Sequence, residues 1–430
     1  MIDITKIEDL IGTNLAPYLY NSKEFKPGKT DVFYSGPYWD ECEAIAAVDT
    51  ILNGRWVSSG ERVRKFEEEF SKKFKVKFST MVNSGSSANL VMITALKKYF
   101  KWKDDDEIIV SPVGFPTTIS VIYQNRLKPV FIDIEWNTLN FDLDKIEEKI
   151  TNKTKAIFVS PVLGNPPDMD RLVEICNRYD LHLVGDNCDS LGSKWNDKYL
   201  SEYYVAFSNS FYPAHHISTG EGGMVCTDNR EISKIAKSIT NWGRDCHCVG
   251  AVNLLADGSC GKRFSMWLPN YDGVIDHKYV FENMGYNLKP LDLQGAIGIE
   301  QLKKFDEIAE RRKISKQTIE NLFINNINGV VGVRTLPNAD VCWFGTPFIC
   351  ETTELKRKLV QYLEDNIIQT RNYFAGNILL HGGFTFLDNS DNYPEANKVL
   401  DRVFFIGAAP HYNSNIFDYI ETVVKKFKWN

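Results

Sequence analysis

The stretch FSNSFYPAHHISTGEGG, Phe207 to Gly223, carries two adjacent histidines, His215 and His216, in a loop that ends in a glycine-rich tail. Imidazole takes up and releases a proton near neutral pH, so the pair offers proton-transfer chemistry. In VGDNCDSLGS (Val184–Ser193), Asp186 and Asp189 flank Cys188 just past an apolar run. A carboxylate at the end of a buried strand needs a cationic partner, unless it caps a neighbouring turn. In MVNSGSSANLVMITAL (Met81–Leu96), Gly85 and Ser86 open a run with Leu90, Ile93 and Leu96 on one face. Free N–H groups, hydroxyls and a helix dipole make an anion site there, although an ordinary capped helix uses the same residues. SPVGFPTT (Ser111–Thr118) adds Phe115, either a ring that stacks on a flat ligand or a core phenylalanine.

Four cysteines form a second constellation. Cys188, Cys246, Cys248 and Cys260 are spaced C-x57-C-x-C-x11-C, the last three within WGRDCHCVGAVNLLADGSCGKRF (Trp242–Phe264). A C-x-C pair with a third thiol nearby suits thiolate ligation of a [2Fe–2S] cluster. Structural zinc, whose usual pairs are C-x2-4-C, and unrelated free thiols are the competing readings. Cys42, Cys176, Cys226, Cys342 and Cys350 lie in apolar or amphipathic stretches and read as small buried hydrophobes.

Strands must carry these loops. DEIIVSP (Asp106–Pro112), KPVFIDI (Lys128–Ile134), KAIFVSP (Lys155–Pro161) and LHLVGDN (Leu181–Asn187) are short, β-branched and turn-bounded, as in a buried, mainly parallel sheet. Helical patterns alternate with them, for example Asp168–Leu181. The pattern implies an α/β fold with flanking helices, in which ligands sit at the carboxyl ends of the strands. Placed there together, the loops assemble a vitamin-B6 site: a phosphate cradle, a stacking ring, an aspartate for a protonated pyridine, and a late loop facing C4′. A long helical stretch from Leu291, a strand over Cys342–Cys350 and a helix over Glu354–Asn366 indicate a smaller α+β unit. The expected division is an N-terminal arm at 1–35, a large cofactor-binding domain at 36–300 with the cysteine loop at 242–264, and a small C-terminal domain at 301–430.

Bulk properties narrow the function classes. The chain has 430 residues, 43% hydrophobic and 25% charged, with a formal net charge of −6. A general nucleic-acid binder needs a basic stripe, and none is present. No apolar run approaches the ~20 residues of a membrane span. The N-terminal MIDITKIEDLIG lacks the pattern of a secretory signal, so the expected location is cytoplasmic, where thiols stay reduced.

GRWVSSGERVRKFEEEF (Gly54–Phe70), VNSGSSANL, the GDN strand end, SFYPAHHISTGEGG and GYNLKPLDLQGAIG (Gly285–Gly298) occur in this order along the chain. With them the chain resembles the DegT/DnrJ/EryC/StrS-type family of aminotransferases and dehydratases acting on nucleotide-linked sugars. The resemblance implies a type I aspartate-aminotransferase-like fold, a homodimer, and pyridoxal or pyridoxamine phosphate (PLP or PMP) as cofactor. The usual family member has in this loop a lysine that bonds covalently to the cofactor. Here His215 stands five residues after Ser210 and five before Gly220, and no lysine lies between Lys198 and Lys234. Imidazole forms no such bond, so PMP is expected to be held non-covalently. Within the family the histidine marks 3-dehydratases of 4-keto-6-deoxy sugars. His215 then removes the C4′ proton while the C3 hydroxyl leaves as water.

Other roles follow from the same resemblance. Tyr212 and Asp189 flank the substrate end, with His216 beside the substrate or in a supporting role. Ser210, Gly85 and Ser86 bind the cofactor phosphate, Phe115 stacks on the ring, and Asp186 pairs with the pyridine nitrogen. Asn287 reaches a phosphate across the dimer interface. Arg371, in TRNYFAGN (Thr370–Asn377), binds the substrate diphosphate, with a surface salt bridge as the plain alternative. The iron–sulfur members of the CDP-sugar branch share the spacing of Cys188, Cys246 and Cys248. The last gap is longer here, which leaves Cys260 as the fourth expected ligand. Such an enzyme serves 3,6-dideoxyhexose biosynthesis and needs a NAD(P)H-dependent iron–sulfur flavin reductase as partner. The alternatives are the cluster-free GDP-sugar type, which regenerates PMP from glutamate, a nucleotide-sugar aminotransferase, and a zinc-bearing scaffold without catalysis.

Overall fold

The computed structural model describes residues 5–15, 24–54, 56–246 and 261–429. Seven strands form the principal sheet: β1 (Phe78–Val82), β2 (Glu107–Val110), β3 (Lys128–Phe131), β4 (Thr154–Val159), β5 (His182–Asp186), β6 (Ala206–Ser210) and β7 (Gly223–Thr227). Their order is β1-β7-β6-β5-β4-β2-β3. Only β7 runs against its neighbours, so β1 and β6, which both pair with it, point the same way as β5. The four strands expected from β-branched runs are all present as β2 to β5.

Alternation along these strands explains why the sheet is covered on both faces. Ile108, Val110, Ala156, Phe158 and Val184 enter one core, with Val91, Ile93 and Ile122 of the helices Gly85–Phe100 and Pro116–Gln124. Ile109, Ile157, Val159, Leu183 and Phe207 enter the opposite core, with Phe66, Phe70, Leu172 and Ile175. A third core lies around a four-stranded antiparallel sheet, where Phe323, Phe348, Leu359, Phe404 and Ile420 meet. Its strands are β8 (Val330–Gly332), β9 (Gly345–Cys350), β10 (Arg371–Asn372) and β11 (Val403–Gly407), in the order β8-β9-β11-β10.

The helical stretch expected from Leu291 divides into Asp292–Lys303 and the long helix Phe305–Asn326, on which Arg312 faces inward and is fully buried. Cys42 departs from expectation. It lies in the first turn of the helix Glu41–Asn53 and is exposed, because that helix buries Glu43 and Thr50 instead. Cys176, Cys226, Cys342 and Cys350 are buried. Among the described residues no helix is long and apolar enough to cross a membrane.

Candidate active site

Three parallel strands, β1, β5 and β6, bring their carboxyl ends to one edge of the sheet, and a cavity of about 690 Å³ opens there. Its lining includes Gly85, Ser86, Asp186, Asp189, Ser210 and His215. At one end β1 turns into the helix Gly85–Phe100. Ser84 caps it, its side chain accepting from the Ser87 N–H at 3.1 Å. Gly85 packs so tightly on β6 that an added Cβ would fall onto the Ser210 side chain, with Oγ at 2.8 Å. Gly223, at the start of β7, is pressed as closely against the Ser84 carbonyl. The free N–H groups of a helix start therefore stand beside the hydroxyls of Ser86 and Ser210.

Asp186 ends β5 and is 4% exposed. Its Oδ2 accepts from Asn89 Nδ2 at 2.8 Å and from the Thr118 hydroxyl at 2.6 Å. Ser208 completes the network by donating to Asn89 Oδ1 at 2.6 Å. Neutral donors thus orient this carboxylate, and it forms no described ion pair. A buried carboxylate in that condition, open to a cavity, suits a cationic ring nitrogen.

The histidine loop crosses the cavity opposite Asp186. His215 is held at its own N–H by the Tyr212 carbonyl (2.9 Å) and at its carbonyl by Arg312 (2.9 Å). The imidazole Nδ1 lies 3.4 Å from Asp189 Oδ1, and the Phe344 ring stands 5.1 Å away. Burial, reinforced by the Arg312 guanidinium, lowers the His215 pKa to about 3, so the ring is neutral at physiological pH. Burial and the neighbouring Asp186 charge push the Asp189 carboxyl well above its usual range. The site therefore couples a neutral base to a carboxyl that resists ionisation.

Most of the expected residues meet at this cavity. Tyr212 and Phe115 line it with half-exposed rings, and Arg371 also lines it, with its guanidinium over the Tyr34 ring at 4.1 Å. Two do not line it. His216 is 2% exposed, its Nε2 bonded to the Cys342 carbonyl at 2.8 Å. Two consecutive residues of this turn face opposite ways, so only His215 reaches the cavity and the expected substrate contact of His216 is corrected to a structural one. Asn287 lies elsewhere, bridged to Asn241 and bonded to Lys289. Asn89, Thr118, Ser208, Tyr34, Phe344 and Arg312 were not singled out by sequence. The only sequence signal for two of them is position: Ser208 alternates with Ser210 on β6, and Asn89 is one turn past Gly85.

Of the four spaced cysteines, Cys188 lines the cavity and Cys246 is buried, while Cys248 and Cys260 lie outside the described residues. Among the described residues no three His, Cys, Asp or Glu side chains gather into a metal site. The cradle at Gly85 and Ser210, with the charge-hungry Asp186, does fit PMP. Among the described residues the cavity lining holds no lysine.

Residues 39–427 match the DegT/DnrJ/EryC1/StrS aminotransferase family. The chain is 36% identical over 414 residues to a dTDP-4-dehydro-2,6-dideoxy-D-glucose 3-dehydratase of Saccharopolyspora spinosa, covering 94% of this chain and 88% of that one. It is 36% identical over 355 residues to a GDP-4-keto-6-deoxy-D-mannose 3-dehydratase of Yersinia pseudotuberculosis, covering 79% and 84%. The solved structure of an E. coli GDP-4-keto-6-deoxy-D-mannose-3-dehydratase with bound hydrated PLP superposes with a TM-score of 0.80 at 30% identity, covering 92% and 99%. The fold is that of the aminotransferases, and the chain belongs to the DegT/DnrJ/EryC1/StrS aminotransferase family.

Proposed function

We propose that the protein removes the C3 hydroxyl, as water, from a nucleotide-linked 4-keto-6-deoxyhexose with PMP as cofactor. The observation that carries the reading is a neutral His215, not a lysine, facing the cavity beside Asp189. When bound, PMP supplies an amine that condenses with the C4 ketone and a ring that acidifies its own C4′ hydrogen. Gly85, Ser86 and Ser210 would hold its phosphate, Asp186 its pyridine nitrogen, and Phe115 would pack on its ring. His215 would take the C4′ proton, and Asp189 and Tyr212, which line the same cavity, would protonate the leaving hydroxyl. Arg371 binds the diphosphate. Asn287, which does not line this cavity, is assigned to the phosphate site of a second copy in a homodimer.

Of the two versions of this enzyme, the cluster-free one, with PMP regenerated from glutamate, draws support from the relatives named for GDP-4-keto-6-deoxymannose. The [2Fe–2S] version, with its flavin reductase, is favoured by one observation, Cys188 on the cavity wall. Anaerobically purified protein should be assayed for iron and acid-labile sulfide, then incubated with PMP and with GDP-, CDP- and dTDP-linked 4-keto-6-deoxyhexoses. Loss of water from one of them without iron establishes the cluster-free form. Two irons and two sulfides per chain, with turnover dependent on a reductase, establish the other. No dehydration of any of the three overturns the proposal.

A further inference from the structure

Arg312 is 1% exposed and forms no ion pair among the described residues. It extends from the long helix Phe305–Asn326 to the back of the histidine loop. Its Nη2 donates to the carbonyls of His215 at 2.9 Å and Ala214 at 3.2 Å. Its Nη1 donates to those of Phe344 at 3.0 Å and Trp343 at 3.4 Å. Its Nε is left buried with no partner, so the side chain is aimed by its two amino groups alone.

These four carbonyls belong to two segments that both touch the reacting histidine. One is the backbone of His215 itself. The other leads into β9 and supplies the Phe344 ring, 5.1 Å from the imidazole, and the Cys342 carbonyl that anchors His216. The guanidinium is planar and rigid, so its two amino groups hold the carbonyl of residue 215 at a fixed separation from that of residue 344. An ordinary buried anchor would bond to whatever acceptors line its pocket; this one ties the base to the wall it packs against. Asp189, His216, His411, Tyr412 and Cys342 also interact with its charge, and none of their side chains takes a described hydrogen bond from it.

We propose that Arg312 is the positioning residue for His215, setting where the imidazole stands in the cavity through the main chain at 214–215 and 343–344 while touching neither cofactor nor substrate. The inference rests on His215 being the group that moves the C4′ proton. It extends the functional machinery to a helix outside the cavity lining, and it makes the histidine loop and the entry to β9 one unit.

The test uses the full chain with Arg312→Lys, which keeps charge and loses the fork, and Arg312→Gln, which keeps one amide. Both are expected to bind PMP in a fluorescence titration, and to show a KM, within about threefold of wild type, while kcat falls about 100-fold, the usual effect of a displacement near 1 Å. In PMP-free protein, amide hydrogen exchange of residues 211–219 should rise while that of β4 and β5 stays unchanged. In a His215→Asn background, followed by long incubation, Arg312→Lys should cost less than about twofold more, because the group it positions is gone. An undiminished 100-fold loss in that background, or KM and PMP affinity deteriorating together with kcat, would overturn the proposal. So would failure of both variants to fold, which would assign Arg312 to core stability. Wild-type protein that dehydrates no 4-keto sugar nucleotide would instead remove the reaction, a result separable from an active wild type whose Arg312 variants are equally active.

Discussion

Burial keeps the His215 imidazole neutral, with a ring nitrogen lone pair not taken up by a proton, and the same burial keeps the Asp189 carboxyl able to donate one. Replacing His215 by Asn preserves size and a hydrogen-bonding head but removes the base. Dehydration is expected to fall about 10²- to 10⁴-fold, the range of general acid–base contributions. PMP should still bind, because Asp186, Gly85 and Ser210 are untouched. Unchanged turnover would exclude His215 as the base. Thr118 makes a different kind of contribution. Its hydroxyl donates to Asp186 Oδ2 at 2.6 Å. Hydrogen bonds to charged groups contribute about 1.5–3 kcal/mol. Thr118→Val should therefore weaken PMP affinity about tenfold or more, measured by titration of cofactor fluorescence, with kcat at saturating PMP little changed. Equal affinity would mean that Asp186 is oriented without Thr118.

The edge of the sheet assembles the site, and this much could be read from residue patterns. β-Branched runs ending in Asp186 and Ser210 marked the strands, and glycine with serine at residues 85–86 marked the helix start. Contacts made across distant segments left no such trace. Thr118 approaches Asp186 from a separate helix, and Arg312 reaches the loop at 214–215 from about a hundred residues away, so neither has a local signature. His216 was ambiguous because adjacent residues in a turn share a sequence environment and not a direction. Cys42 misled because its amphipathic stretch buries a different face. The tightest point of the edge gives a test. A methyl on Gly85 would collide with Ser210 Cβ and come within 3.1 Å of its Cα, a contact that a rotamer change does not relieve. Gly85→Ala should destabilise the fold by about 1–3 kcal/mol, as overpacking does, and weaken PMP binding more than stability. Ser86→Ala, at the same helix start but without the collision, should keep the melting temperature. Normal cofactor affinity in Gly85→Ala would show that the cradle tolerates a shift of β1 against β6.

At the scale of the molecule, the histidine loop is where separate parts of the chain converge. Ser35 donates to the Ala214 carbonyl at 2.8 Å and Trp39 to the Ser218 carbonyl at 3.1 Å, both from the N-terminal side. Gln301 accepts from the Ser218 N–H at 3.1 Å, and Arg312 grips the loop from behind. The convergence buries His215, His216 and His411 around one guanidinium, and all three are held neutral. This arrangement has a consequence for acid stability. Burial first, then the Arg312 charge, lowers the His411 pKa from 6.5 to about 4. The unfolded chain binds the His411 proton as pH falls through 6.5, while the folded chain refuses it until about pH 4. Between these values the unfolded state holds more protons, so stability declines with falling pH by about 1.4 kcal/mol per pH unit for this group; above pH 6.5 the contribution is complete. His411 Nδ1 has no partner, so His411→Gln should change stability near neutrality by only about 1 kcal/mol. Urea unfolding from pH 7.5 down to 4.5 should then give a shallower acid slope for the variant, by about one proton. Parallel curves for the two proteins would show that His411 titrates alike in the folded and unfolded chain, and that its burial does not hold it neutral.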